Sequence, residues 1–197
     1  LLSTNLIRSH AAGVGPLADT PTTRATLLLR ANALSKGVSG CRPLLVDTIL
    51  EMLNKDCLPV LPMKGSCGSS GDLAPLAHLG LALIGDPEGE CWWKGDIYPA
   101  DLALQFAGIQ PLQLEAKDGL AITNGAQLST AIASLNLLEG KRLCLAAELA
   151  AAMSIDALLG VSRAFHPDVH LQRPYLGARQ TAANLLTLLV HRQNSFH

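Results

Sequence analysis

Residues 64–78, Lys64-Gly65-Ser66-Cys67-Gly68-Ser69-Ser70-Gly71-Asp72-Leu73-Ala74-Pro75-Leu76-Ala77-His78, carry a glycine- and serine-rich loop straight into a helix start. The loop has the composition of a segment that reacts with itself. Gly71 has no side chain, so its backbone nitrogen can approach the carbonyl of Ser69 as ring closure requires, where a residue with Cβ would resist. Ser70 supplies a hydroxyl that can leave. Loss of two waters from Ser69-Ser70-Gly71 gives a five-membered imidazolone with an exocyclic methylidene on the former Ser70. None of the twenty side chains offers such an electrophile.

The run from Gly65 to His78 resembles the signature of the histidine and aromatic amino acid ammonia-lyases, with Ser69 where the family usually carries Ala. Ring closure uses only that residue's carbonyl, so the added hydroxyl is compatible with it. Composition alone describes a glycine-serine linker, and the continuation into Asp72 and Pro75 separates this segment from one. The likeness extends along the chain. Ser9-His10-Ala11-Ala12-Gly13-Val14-Gly15 is similar to the family's first substrate-side motif, and its Ser-His front resembles the histidine-specific branch. Arg24, Leu29-Arg30-Ala31-Asn32-Ala33-Leu34 and Gly37-Val38-Ser39-Gly40-Cys41-Arg42 follow the family spacing into the loop. Beyond it, Lys117-Asp118-Gly119-Leu120-Ala121 and Asn124-Gly125-Ala126-Gln127 resemble the KEGLAL and NGTQ segments, with Asp118 one carbon shorter than the usual Glu and Ala126 in place of Thr.

The resemblance implies a 4-methylidene-imidazole-5-one (MIO) group formed autocatalytically from Ser69, Ser70 and Gly71. It implies Ser70 as the source of the electrophile, Asn124 steadying the ring oxygen and His10 facing the substrate. It also implies a homotetramer whose active sites draw on three subunits. Asp72 reads as an N-cap that can also polarise the loop during closure. The implied reaction is elimination of ammonia from L-histidine to give urocanate, with the substrate's amino group or its ring adding to the methylidene. A helix N-terminus carries roughly half a positive charge and unpaired N–H groups, so the helix begun by Asp72 favours electron density arriving on the ring.

The family's catalytic tyrosine lies upstream of Ser9 and its carboxylate-binding arginine lies past His197. Residues 1–197 are therefore expected to form a single mainly helical domain that lacks the N-terminal tyrosine segment and the C-terminal part. The expected fold is mainly α, the elongated helical bundle core of the ammonia-lyase (fumarase/aspartase-like) type. Tyr98 and Tyr175 match no family catalytic position.

Composition agrees with this reading. Of 197 residues, 49% are hydrophobic and only 4% aromatic, so the core is built from Leu, Ala, Val and Ile. A net charge of -1 gives no footprint for nucleic acid or an anionic membrane. The least charged long stretch, Gly119 to Leu138, contains Thr123, Asn124, Gln127 and Asn136, too much polarity to face lipid. Cys41, Cys57, Cys67, Cys91 and Cys144 form an odd, scattered set without a CxxC pair, as expected of reduced thiols in a cytoplasmic protein. Cys67 reads as a small packed residue. No charged-then-apolar leader opens the chain. His166 and His170 stand four apart, but Pro167 between them and the lack of further ligands argue against a metal.

Periodicity predicts helices from Thr20 with Pro21 in the first turn, from Pro43 to about Lys55, from Asp72, from Pro99 to Gly108, from Ala126 to about Leu159, and from Gly177 to His191. Gly85 to Tyr98 reads as a turn-rich excursion with a short hairpin. The helix from Ala126, apolar on most faces, is expected among other helices. Two alternatives remain open: another aromatic amino acid lyase or an aminomutase, and an inactive truncated paralogue or scaffold subunit. The chain contains no GxSxG, GxxxxGK[ST] or HExxH motif.

Overall fold

In the computed structural model, residues 2–67 and 69–193 are described, with 190–193 described by backbone alone. The chain divides into two compact units, 1–135 and 136–197. In the first, α1 (Leu2–His10) and β1 (Val14–Leu17) precede α2 (Thr20–Leu34), α3 (Pro43–Asn54), β2 (Leu58–Pro59) and β3 (Pro62–Lys64). Then come α4 (Leu73–Leu83), β4 (Glu90–Trp93), β5 (Asp96–Pro99), α5 (Ala100–Ala107) and α6 (Asp118–Thr123). Helix α7 (Gln127–Ala157) starts in this unit and runs into the next.

Helix α4 is the centre of the first unit because it is apolar on every side. Leu76, Leu79 and Leu83 are wholly buried, and each such side chain contributes about 1.5–3 kcal/mol. Helices α1 and α6 pack on it. A Cβ built on Gly80 would lie 2.9 Å from Ile7, so the glycine lets α1 come close.

The predicted helices at 20, 43, 72 and 99 all form. Asp19 caps α2, its Oδ1 accepting from the Thr22 N–H at 2.9 Å. The expected hairpin is β4–β5, closed by Lys94 and Gly95 at φ 52° and 99°. Both strands join β2 in a three-stranded sheet. The short antiparallel pair β1–β3, with Val14 opposite Lys64, was not foreseen. It lays the segment after His10 beside the strand that leads into the loop of residues 65–71.

In the second unit, Ala152 of α7 packs with Leu185 and Leu189 of α9 (Leu176–Gln193), and Glu148 accepts from Thr181 and Asn184. Between them lie a 3-10 turn (Ser162–Phe165) and α8 (Pro167–Leu171). Expected among other helices, α7 leaves Leu137, Leu143 and Met153 more than half exposed in this chain. Among the described residues, no helix is long and apolar enough to cross a membrane.

Asp118 opens α6 from a fully buried position. It accepts from Arg42 Nε at 3.0 Å and Nη2 at 2.6 Å, and from the Glu115 N–H at 3.0 Å. Burial pushes its pKa up, but the hydrogen bonds from Glu115 and Arg42 outweigh it and hold the carboxyl below the usual 3.8. A depressed carboxylate stabilises the fold fully above its unfolded value and loses that contribution as pH falls through the folded value. Asp118→Asn is therefore expected to cost about 1–3 kcal/mol at pH 7 by urea denaturation. The difference from wild type should shrink below pH 3.8, and one that stays flat with pH would contradict the assignment.

Candidate active site

The loop of residues 65–71 leaves β3 through Gly65 (φ 134°) and enters α4 through Gly71 (φ 121°). Both values favour glycine, but Gly71 has a further constraint. A Cβ built there would run into the Gly125 carbonyl oxygen. Two backbones cross at this point, and the Asp72 N–H donates to the Gly125 carbonyl at 2.6 Å. Ser66 Oγ donates to the Gly71 carbonyl, also at 2.6 Å, tying the loop's two ends together. Ser69 and Ser70 are exposed, and Gly68 lies outside the described residues. Ser70 lines a cavity of about 230 Å³ with His10, Ala12, Gly71 and Ala74. Cys67, expected to be packed, is exposed, with its Sγ 3.8 Å from Ser69 Oγ.

Asp72 sits at the N-cap position of α4 but makes no cap hydrogen bond to that helix. Its carboxylate crosses to α7, accepting from the Ser129 N–H at 2.8 Å and Ser129 Oγ at 2.5 Å. Ser129 is the third residue of α7, so Asp72 satisfies one of that helix's orphan N–H groups from outside. The side chain is almost fully buried at 4% exposure. Two helix N-termini therefore meet at the loop, and both bring partial positive charge.

Asn124 stands between α6 and α7, exposed, its carboxamide without a hydrogen bond among the described residues. Its backbone is held from α2. Arg30 Nη2 donates to the Asn124 carbonyl at 2.9 Å and to the Ala121 carbonyl, while Nη1 donates to Gln127 Oε1 at 2.7 Å. Arg30 is 4% exposed, and burial pulls its pKa down to about 10. A Cβ on Gly125 would overlap Arg30 and Gln127.

His10 ends α1 with Nδ1 2.8 Å from the Leu6 carbonyl and 3.0 Å from Ser9 Oγ. A carbonyl only accepts, so Nδ1 carries a proton, and in the neutral tautomer Nε2 is the acceptor. The segment behind it is fastened to α4, where the Gly13 N–H donates to His78 Nε2 at 3.1 Å. Burial lowers the His78 pKa, which keeps that nitrogen an acceptor. Gly13 and Gly65 meet closely, since a Cβ on Gly65 would stand 3.0 Å from Gly13 Cα.

The structure thus brings His10, Ser70 and Gly71 to one cavity, and Gly71 and Asp72 to the segment that carries Asn124. His166 belongs to the second unit, with Nδ1 3.5 Å from Asp168. No group of three or more His, Cys, Asp or Glu among the described residues is arranged to hold a metal. Arg30, His78, Gly125 and Ser129 were given no role from sequence. Only Arg30 left a signal, a charge on the Leu27, Ala31, Leu34 stripe.

The family model described as "Aromatic amino acid lyase" matches residues 1–195. The chain belongs to the aromatic amino acid lyase family. It is 50% identical over 188 residues to a histidine ammonia-lyase of Stigmatella aurantiaca, covering 95% of this chain and 36% of that protein. A histidine ammonia-lyase of Alkaliphilus metalliredigens is 47% identical, with 96% and 37% covered. Among solved structures, tyrosine aminomutase from Streptomyces globisporus superposes with TM-score 0.89 at 38% identity, covering 95% of this chain and 35% of that one. Histidine ammonia-lyase from Trypanosoma cruzi gives 0.88 at 36% identity, with 94% and 36% covered. The helical fold is that of the ammonia-lyases and aminomutases. The chain spans little more than a third of the length of these relatives.

The cross-helix cap is open to a direct test. A double-mutant cycle of Asp72→Ala and Ser129→Ala, followed by chemical denaturation, should show a coupling of about 0.5–3 kcal/mol. Strict additivity would contradict the contact between the Asp72 carboxylate and the Ser129 hydroxyl.

Proposed function

We propose that this chain is the electrophile-bearing part of a histidine ammonia-lyase, whose net reaction breaks the Cα–N bond of L-histidine, removes a β-proton and yields urocanate and ammonia. The observation that carries this reading is the Ser69-Ser70-Gly71 run, its glycine held at φ 121° against the Gly125 carbonyl. The geometry fits the MIO group: a residue with Cβ at 71 has no room, Ser70 opens on the cavity, and Asn124 offers a free carboxamide. Ser69, Ser70 and Gly71 would form the group, and it would supply an electrophilic methylidene carbon.

The other residues bind and orient. In the Nδ1–H tautomer, His10 Nε2 accepts a hydrogen bond from an imidazole N–H at the far end of the substrate. Asn124 donates its amide to the oxygen side of the loop, and the N-termini of α4 and α7 favour negative charge there. Asp72, through Ser129, keeps those two N-termini together. The exposed Leu137, Leu143 and Met153 support burial of α7 in a homotetramer. The five free cysteines fit a cytoplasmic setting.

In the complete protein, Ser70→Ala should abolish turnover while changing stability by no more than about half a kcal/mol, as small loop substitutions do. Activity above background in that variant would remove the electrophile from the account.

Substrate choice rests on His10. An unpaired buried donor or acceptor costs about 1–3 kcal/mol, so His10→Leu should lower kcat/KM for histidine by about ten- to a hundredfold. Urocanate and cinnamate formation measured side by side read the result. A wild type that makes cinnamate faster, or a product that keeps its nitrogen, would move the assignment to another aromatic lyase or to an aminomutase.

A further inference from the structure

Arg30 is a buried cation without a carboxylate partner among the described residues, and its Nε has no hydrogen-bond partner there either. Such a charge is costly to desolvate, and it is retained where its donors are needed. All of its hydrogen bonds go to one seven-residue segment: the carbonyls of Ala121 and Asn124 and the side chain of Gln127. A planar fork that reaches three acceptors fixes direction as well as distance. Between those acceptors lies Gly125, whose Cβ position the guanidinium and Gln127 fill, and whose carbonyl presses on Gly71 and accepts from the Asp72 N–H.

We propose that Arg30 is a positioning residue for the reactive loop: its guanidinium sets the placement of Asn124 and holds the Gly125 carbonyl against Gly71, favouring the loop shape that closes. It touches neither substrate nor the reacting atoms and acts through Asn124 and Gly125. The proposal rests on the ammonia-lyase reading above. Lysine in its place keeps the charge but loses the planar fork, so it cannot hold the three acceptors in the same directions.

The test is Arg30→Lys in the complete protein, read by intact mass, by kcat and KM separately, and by thermal unfolding. A misplacement of about 1 Å costs about a hundredfold in rate, and Asn124 would act on developing charge more than on bound substrate. The expected result is a kcat lowered about ten- to a hundredfold with KM within about threefold, and a fraction of folded protein that keeps both waters. Gln127→Leu removes one acceptor and leaves the other two, so it should show the same pattern with a kcat loss of about three- to tenfold. Should Arg30→Lys fail to fold, that milder variant decides the question. Wild-type kcat and a complete two-water deficit in the folded variant would overturn the positioning role and leave the lyase reading standing. Wild-type protein at its full encoded mass would overturn both.

Discussion

Gly71 and Gly125 cross with no room for a Cβ on the first against the carbonyl of the second, and the Asp72 N–H closes on that same carbonyl at 2.6 Å. Much of the site is arranged around this contact. It brings the start of α4 against the start of α7, which lets Asp72 cap α7 through Ser129. From the other side, Arg30 holds the segment that carries Gly125, so three parts of the chain separated by many tens of residues meet at one point. Two glycines and a cross-helix carboxylate permit an approach that ordinary side chains would prevent.

A second set of contacts attaches the segment after His10 to this crossing. The pairing of β1 with β3 lays residues 14–17 beside 62–64, and Gly13 and Gly65 pass closely. His78, one and a half turns into the central helix, accepts from the Gly13 N–H. The loop's N-terminal side is thus anchored to the segment after His10, and its C-terminal side to the segment after Asn124. A rigid scaffold on both flanks is what a loop of small residues needs to hold one shape.

Much of the helical layout was legible in the sequence because it depends on local physics. Leu27, Ala31 and Leu34 repeat at helical spacing, Pro21, Pro43 and Pro99 mark helix starts, and Lys94-Gly95 marks a hairpin. What was missed is non-local. Asp72 has the residue type of a cap, and sequence proximity points it at its own helix, whereas Ser129 stands 57 positions away. Strand β1 is short and contains Gly15 and Pro16, so it shows no alternation to read. For Gly71 the residue type that ring closure would need could be read, but the backbone crossing could not, since nothing near Asn124-Gly125 indicates which strand of chain passes over it. Helix α7 displayed its apolar faces plainly, while the elements that would cover them do not follow from its own pattern.

Loss of two waters from residues 69–71 is the proposal on which the others rest. Mass spectrometry of the wild-type protein, intact and after digestion to the peptide that carries Ser69-Ser70-Gly71, tests it most directly. The expected mass is two waters short of the encoded value, with the deficit located in that peptide and absent from Ser70→Ala. The full encoded mass throughout the wild-type protein would contradict it.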